Sequence, residues 1–92
     1  MEFTWDQNKA RINLEKHGVS FEEATTIFND PLAITFNDPN HSVLEERFLT
    51  FGLSSLTKQR LLVVSHLYQP GIIRIISARV ITKREQRIYE NG

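Results

Sequence analysis

Apolar residues recur at helical spacing through the first part of the chain and crowd into strand-like runs after residue 31. Asp6 can cap a first helix running to about His17, and Gly18 supplies a left-handed stop after which Val19 is expected to fold back on Leu14. Ala10 and Leu14 give that helix one modest apolar stripe. Ser20-Phe21-Glu22-Glu23 reads as a capping box, hydroxyl and carboxylate each satisfying the other residue's exposed backbone donor. The helix it opens carries Phe21, Ala24, Ile27 and Phe28 on one face. Asn29-Asp30-Pro31 ends it, because the residue before a proline avoids helical angles.

Strand signals follow. Leu32 to Phe36 alternates loosely, Asn37-Asp38-Pro39-Asn40 is a turn-rich break, and Arg47 to Leu53 is rich in aromatic and branched residues. Leu61 to Tyr68 starts as an almost continuous apolar run, the pattern of a central strand covered on both faces. Gln69-Pro70-Gly71 returns the chain into Ile72–Ser77, which implies an antiparallel hairpin. Thr82-Lys83-Arg84-Glu85 is a second capping box and opens a final helix ending near Ile88 and Tyr89. The order ααββββα predicts an α+β fold: an antiparallel four-stranded sheet with helices packed on one face, in a single domain over residues 1–92.

Composition narrows the function classes. With 40% hydrophobic and 24% charged residues the chain is expected to fold rather than stay disordered. The absence of cysteine rules out disulfides and thiolate metal sites. No apolar run is long enough to cross a bilayer as a helix, and the N-terminus has no signal-peptide pattern, so a cytoplasmic protein without membrane association is expected. Net charge is zero, yet residues 1–57 hold four basic side chains against nine acidic, and residues 58–92 hold seven against two. Such a split either builds a basic face or lets the two ends neutralise each other in the fold.

The chain resembles the BrnT toxin family over essentially its whole length. The resemblance is carried by Phe3-Thr4-Trp5-Asp6, by Asn13 through Ala24 (Asn-Leu-Glu-Lys-His-Gly-Val-Ser-Phe-Glu-Glu-Ala), by Asp30-Pro31-Leu32, by Glu45-Glu46-Arg47-Phe48, and by Arg74-Ile75-Ile76-Ser77-Ala78-Arg79. It implies a RelE-like ribonuclease fold, RNA as substrate, and translation inhibition. It also implies neutralisation by a BrnA-type ribbon-helix-helix antitoxin, with operator DNA reached only through the toxin–antitoxin complex.

Metal-free RNA cleavage needs a base for the 2′-hydroxyl, donors for the charge growing on phosphate, and an acid for the leaving oxygen. Arginine suits the second task, since its planar fork donates paired hydrogen bonds and keeps its charge. Arg79, after the small Ser77-Ala78, is the first candidate, against the plainer reading of an arginine paired with a helix carboxylate. Arg74 is the second; it lies five residues from Arg79, so the two point to opposite faces unless a bulge or the strand's end intervenes. Arg47 follows, with Glu46 as a candidate base or as Arg47's salt-bridge partner. His17 titrates in the right range but sits where a cation simply complements the helix dipole. His41 and His66 have no companions at ligand spacing, so neither metal nor cofactor is expected. Trp5 and Tyr89 either stack on bases or pack internally. A non-catalytic module that binds the antitoxin and acts as co-repressor is the alternative.

Overall fold

A computed structural model describes residues 1–38, 45–56 and 59–92. The expected break at Pro39-Asn40, together with His41 and Lys58, lies outside the described residues. The elements are β1 (Glu2–Thr4), α1 (Gln7–His17), α2 (Phe21–Thr26) running into a 3-10 turn (Ile27–Asn29), β2 (Ile34–Asn37), β3 (Phe48–Leu53), β4 (Leu61–Gln69), β5 (Ile72–Val80) and α3 (Lys83–Asn91).

The α+β class holds, but the sheet has five strands in the order β1-β5-β4-β3-β2 and is mixed, which corrects the expected four antiparallel strands. The added strand is β1, paired parallel to β5 through Glu2↔Ile72, Phe3↔Ile73 and Thr4↔Arg74. Three residues carry no periodicity to read. This strand exists only because a partner from the far end of the chain lies beside it. β4 is central as expected, with Leu62 through His66 all buried. The β4–β5 hairpin closes on Pro70-Gly71, with Gly71 at φ 73°, the left-handed position a proline-first turn demands.

Asp6 accepts from Lys9 N–H and Gly18 stands at φ 68°, so α1 begins and ends as expected. Its expected stripe holds only in part, with Ala10 packed against the core. Leu14 is half-exposed while Asn13 is the buried residue of the helix, and Val19 goes fully into the core. Ser20 caps α2 by accepting from Glu23 N–H, but the Glu23 carboxylate is held by Arg60 and Ser54, so the expected reciprocal box is only half made. Thr82 and Glu85 complete theirs.

Register separates the sheet into two surfaces. Leu62, Val64, Ile73, Ile75 and Ala78 point to the side covered by α1 and α2, where they join Val19, Phe21, Ala24 and Ile27 in one core cluster. Gly52 faces the same side beneath the 3-10 turn, where a Cβ would sit 2.9 Å from Ile27 Cβ. The expectation that all helices share one face is corrected by α3. Glu85 at its start pairs with Arg79, and Gly92 after its end lies against Ile34, both residues of the opposite side. Ile34, Phe51, Val63 and Arg79 form one row across β2, β3, β4 and β5. Nine helical residues span about 13 Å, and three strand spacings span about 14 Å, so α3 is the right length to cross that row. Phe51 and Val63, in the middle of the row, are accordingly buried.

Candidate functional site

Two rows of the second face beside the one α3 crosses form the candidate site. One is Phe36–Leu49–Ser65–Ser77. The other runs through Leu67, Arg74 and Thr4. Arg47 extends this second row, since its carbonyl accepts from Asp38 N–H and prolongs the β2–β3 ladder by one residue. The result is a shallow floor of small and apolar side chains, with arginines at its margins and α3 along one side.

The register shift between β4 and β5 decides the composition of this floor. Ser65 pairs with Ser77 but His66 pairs with Ile75, so Ile76 is the extra residue of a bulge. One added residue restores parity between positions five apart. Arg74 and Arg79 therefore share a face that a regular strand would have denied them. All three candidate arginines lie on it, with Arg47 and Arg74 about 10 Å apart by two strand spacings.

Their partners differ. Arg79 makes a bidentate pair with Glu85, at 2.8 Å from each terminal nitrogen. That pair holds the Glu85 carboxyl down to about 2 and raises the Arg79 guanidinium further. With two donors given to Glu85 and a long one from Nη1 to the Val80 carbonyl at 3.4 Å, two of the five guanidinium N–H donors remain. Arg74 reaches Thr4 Oγ1 at 3.5 Å, a long contact. Arg47 donates through Nε to Glu45 at 2.8 Å, so Glu45 and not Glu46 is its ion-pair partner. Glu46 is exposed and accepts from Asn37 Nδ2 at 3.3 Å.

His17 is not brought to this floor. It is exposed at the end of α1, which packs on the other side of the sheet. His66 is fully buried on that other side, ringed by Phe28, Phe48 and Tyr68. Its Nε2 lies 2.7 Å from Thr50 Oγ1, which in turn lies 2.7 Å from Thr35 Oγ1, while Nδ1 has no partner among the described residues. Burial drives its pKa down to about 4, which keeps it neutral. Among the described residues no group of three or more His, Asp or Glu gathers as a metal-binding cluster. Trp5 packs edge-on against Phe21, and the Tyr89 hydroxyl donates to Asp30 at 2.6 Å, so both aromatics are engaged internally.

Three residues position the floor without a chemical signal of their own in the sequence: Asn13 and Asp30 lie in stretches that carry the resemblance, and Arg60 lies outside them. Asn13 grips the backbone of Ala78. Arg60 joins the two halves of the chain by a paired contact to Glu23 and a bond to the Gly18 carbonyl. The Arg60 hydrogen bonds outweigh burial and hold the Glu23 carboxyl below its ordinary value. Asp30 accepts from Leu32 and Leu53 N–H and from Tyr89, tying β2, β3 and α3 together. Burial pushes that carboxyl up, and these three donors more than offset it. The charge split resolves accordingly. Among the described residues Arg60–Glu23 pairs across the halves, whereas Arg11–Glu15, Arg47–Glu45 and Arg79–Glu85 pair within their own halves.

Over residues 5–85 the chain matches the family model described as ribonuclease toxin, BrnT, of type II toxin-antitoxin system. No curated protein matches it. With the family model spanning most of its length, the chain belongs to the BrnT family.

Proposed function

We propose that this member of the BrnT family is a metal-independent endoribonuclease acting in the cytoplasm, in a fold of RelE type, and that it binds and cuts RNA on the arginine-bearing face of its sheet. The observation that carries this reading is the bulge at Ile76, which returns Arg79 to the face shared by Arg47 and Arg74. Three cations at the margins of an open floor suit a chain of phosphates spaced along a single strand. In the cleavage step the 2′-oxygen attacks the adjacent phosphorus and the bond to the 5′-oxygen breaks. The 2′-proton passes to a base and the leaving oxygen takes a proton from an acid. Arg79 and Arg74 donate to the non-bridging oxygens as charge grows there, without changing protonation state. Glu85 orients Arg79 for this and leaves donors unspent. Glu46 is the candidate base; it accepts from Asn37 Nδ2, a residue of the α1–α2 side, so it would reach the 2′-hydroxyl only around the open end of the sheet.

A BrnA-type ribbon-helix-helix antitoxin is the proposed partner, occluding the floor through Phe36, Leu49 and Leu67 and carrying the pair to operator DNA. A second reading is favoured by the ion pairs themselves. Arg79 held by Glu85 and Arg47 held by Glu45 also suit a co-repressor that binds its antitoxin and cuts nothing.

RNA cleavage by the purified chain, wild type beside Arg79→Ala, with chelator present and antitoxin added back, separates the two. The ribonuclease reading expects cleavage that survives chelation, collapses in the variant and stops on antitoxin addition. A folded chain that neither cuts RNA nor arrests growth in cells leaves the co-repressor.

A further inference from the structure

β1 covers the outer edge of β5 only along Ile72–Arg74, so beyond that point the edge needs another partner for its backbone. Asn13 supplies one. Its Oδ1 accepts from Ala78 N–H at 3.1 Å and its Nδ2 donates to Ala78 C=O at 2.8 Å, the two bonds a neighbouring strand residue would make. Nδ2 donates as well to the Val19 carbonyl at 2.9 Å, anchoring the amide to the α1–α2 corner. The side chain is 6% exposed and sits inside a helix face otherwise short of apolar residues.

We propose that Asn13 is a positioning residue for the arginine face: it fixes Ala78 just after the Ile76 bulge and so sets where Arg79 points. A bulge frees one residue from the ladder and lets a strand twist locally. Ala78 lies two residues beyond this one and immediately before Arg79. With β4 on one edge and the Asn13 amide on the other, the Ala78–Arg79 peptide is held in place. The Arg79 fork then meets Glu85 on one side and the floor on the other. A displacement of about 1 Å at a catalytic group costs on the order of 10²-fold in rate, so a clamp one residue away has leverage on the chemistry. The inference rests on the proposed role of Arg79, and its test separates the two.

Asn13→Asp keeps the shape and the acceptor for Ala78 N–H but loses both donor bonds; Asn13→Ser removes the clamp without adding a charge. Each is assayed below its own melting transition, alone and combined with Arg79→Ala. The expected result is a fall in kcat of at least about tenfold with KM changed much less. Within the Arg79→Ala background the same substitutions then add nothing. Losses that simply add, or a kcat left at the wild-type level, overturn the proposal. If Arg79→Ala cleaves like the wild type, the assigned role of Arg79 is wrong, and the Arg79 Nε–H resonance becomes the readout. That resonance is expected to shift in both Asn13 variants while that of Arg60 stays, and an unmoved Arg79 signal overturns the clamp. Should neither variant fold, amide exchange in the wild type decides. Ala78 protected like the sheet interior supports the clamp, and exchange at the rate of an open strand edge overturns it.

Discussion

The two faces of the sheet are built by the same strands and differ in what each leaves unfinished. On the α1–α2 face the centre is closed, and Phe21, Ile27, Leu62, Ile73 and Ile75 are essentially removed from water. Even the polar residue there, His66, is enclosed by rings and joined to Thr50. On the other face α3 crosses a single row, and none of its residues is buried. The remaining floor keeps Arg47, Arg74 and Phe36 partly in solvent. The contrast divides the sheet: one face is closed by apolar packing, the other keeps charged side chains partly in water.

Substitutions on the two faces should therefore fail in different ways. Phe21→Ala, which empties a fully buried ring site, is expected to cost about 3–5 kcal/mol and to lower the melting point by roughly 4–8 °C per kcal/mol. A thermal melt checks it, and a small loss would mean the core is less concentrated there than the packing shows. Arg79→Ala should cut cleavage about 10²–10³-fold while shifting the melt by only a few degrees, because its ion pair is partly exposed. Unfolding in that variant would assign Arg79 to stability and blur the division.

Acid distinguishes the faces again. The folded pKa of His66, about 4, lies below its ordinary 6.5, so the unfolded chain takes up this proton first as pH falls. Stability is whole above about pH 6.5 and declines toward pH 4 by about 3 kcal/mol, measured as denaturant midpoints. His66→Gln should flatten that window. Gly52→Ala forces a methyl against Ile27 and is expected to cost about 1–3 kcal/mol with cleavage unchanged once refolded. Arg11→Ala, in an exposed i,i+4 pair with Glu15, should change the melt by no more than about 0.5 kcal/mol and sets the noise floor for the series.

Much of the helix-covered face could be read in advance because its signals are local. Phe21, Ala24 and Ile27 repeat at helical spacing, Asp6 and Ser20 announce their helices, and Leu62–Val64 declares a strand buried on both sides. The arginine face was legible only as a set of names. Arg47, Arg74 and Arg79 stand out for their chemistry, but the five-residue spacing of Arg74 and Arg79 leaves their shared surface to a bulge, and His17, a candidate by its chemistry, lies on the other side of the sheet. Asn13 escaped notice because a polar residue in a weakly amphipathic helix looks like solvent-facing filler.

Sequence by itself determined which segments become helices and strands, where most of them stop, and which side chains are apolar enough to be buried. Those follow from propensity, capping and periodicity within a few residues. Tertiary structure alone decided that Glu2–Thr4 is a strand, that α3 crosses the opposite face, and that a bulge at Ile76 puts three arginines together. Each of these depends on a partner in another element, from the adjacent hairpin strand for the bulge to the far end of the chain for β1. Whether a three-residue segment pairs, or a strand carries one residue too many, is settled by the backbone hydrogen bonds and packing that the whole fold makes available.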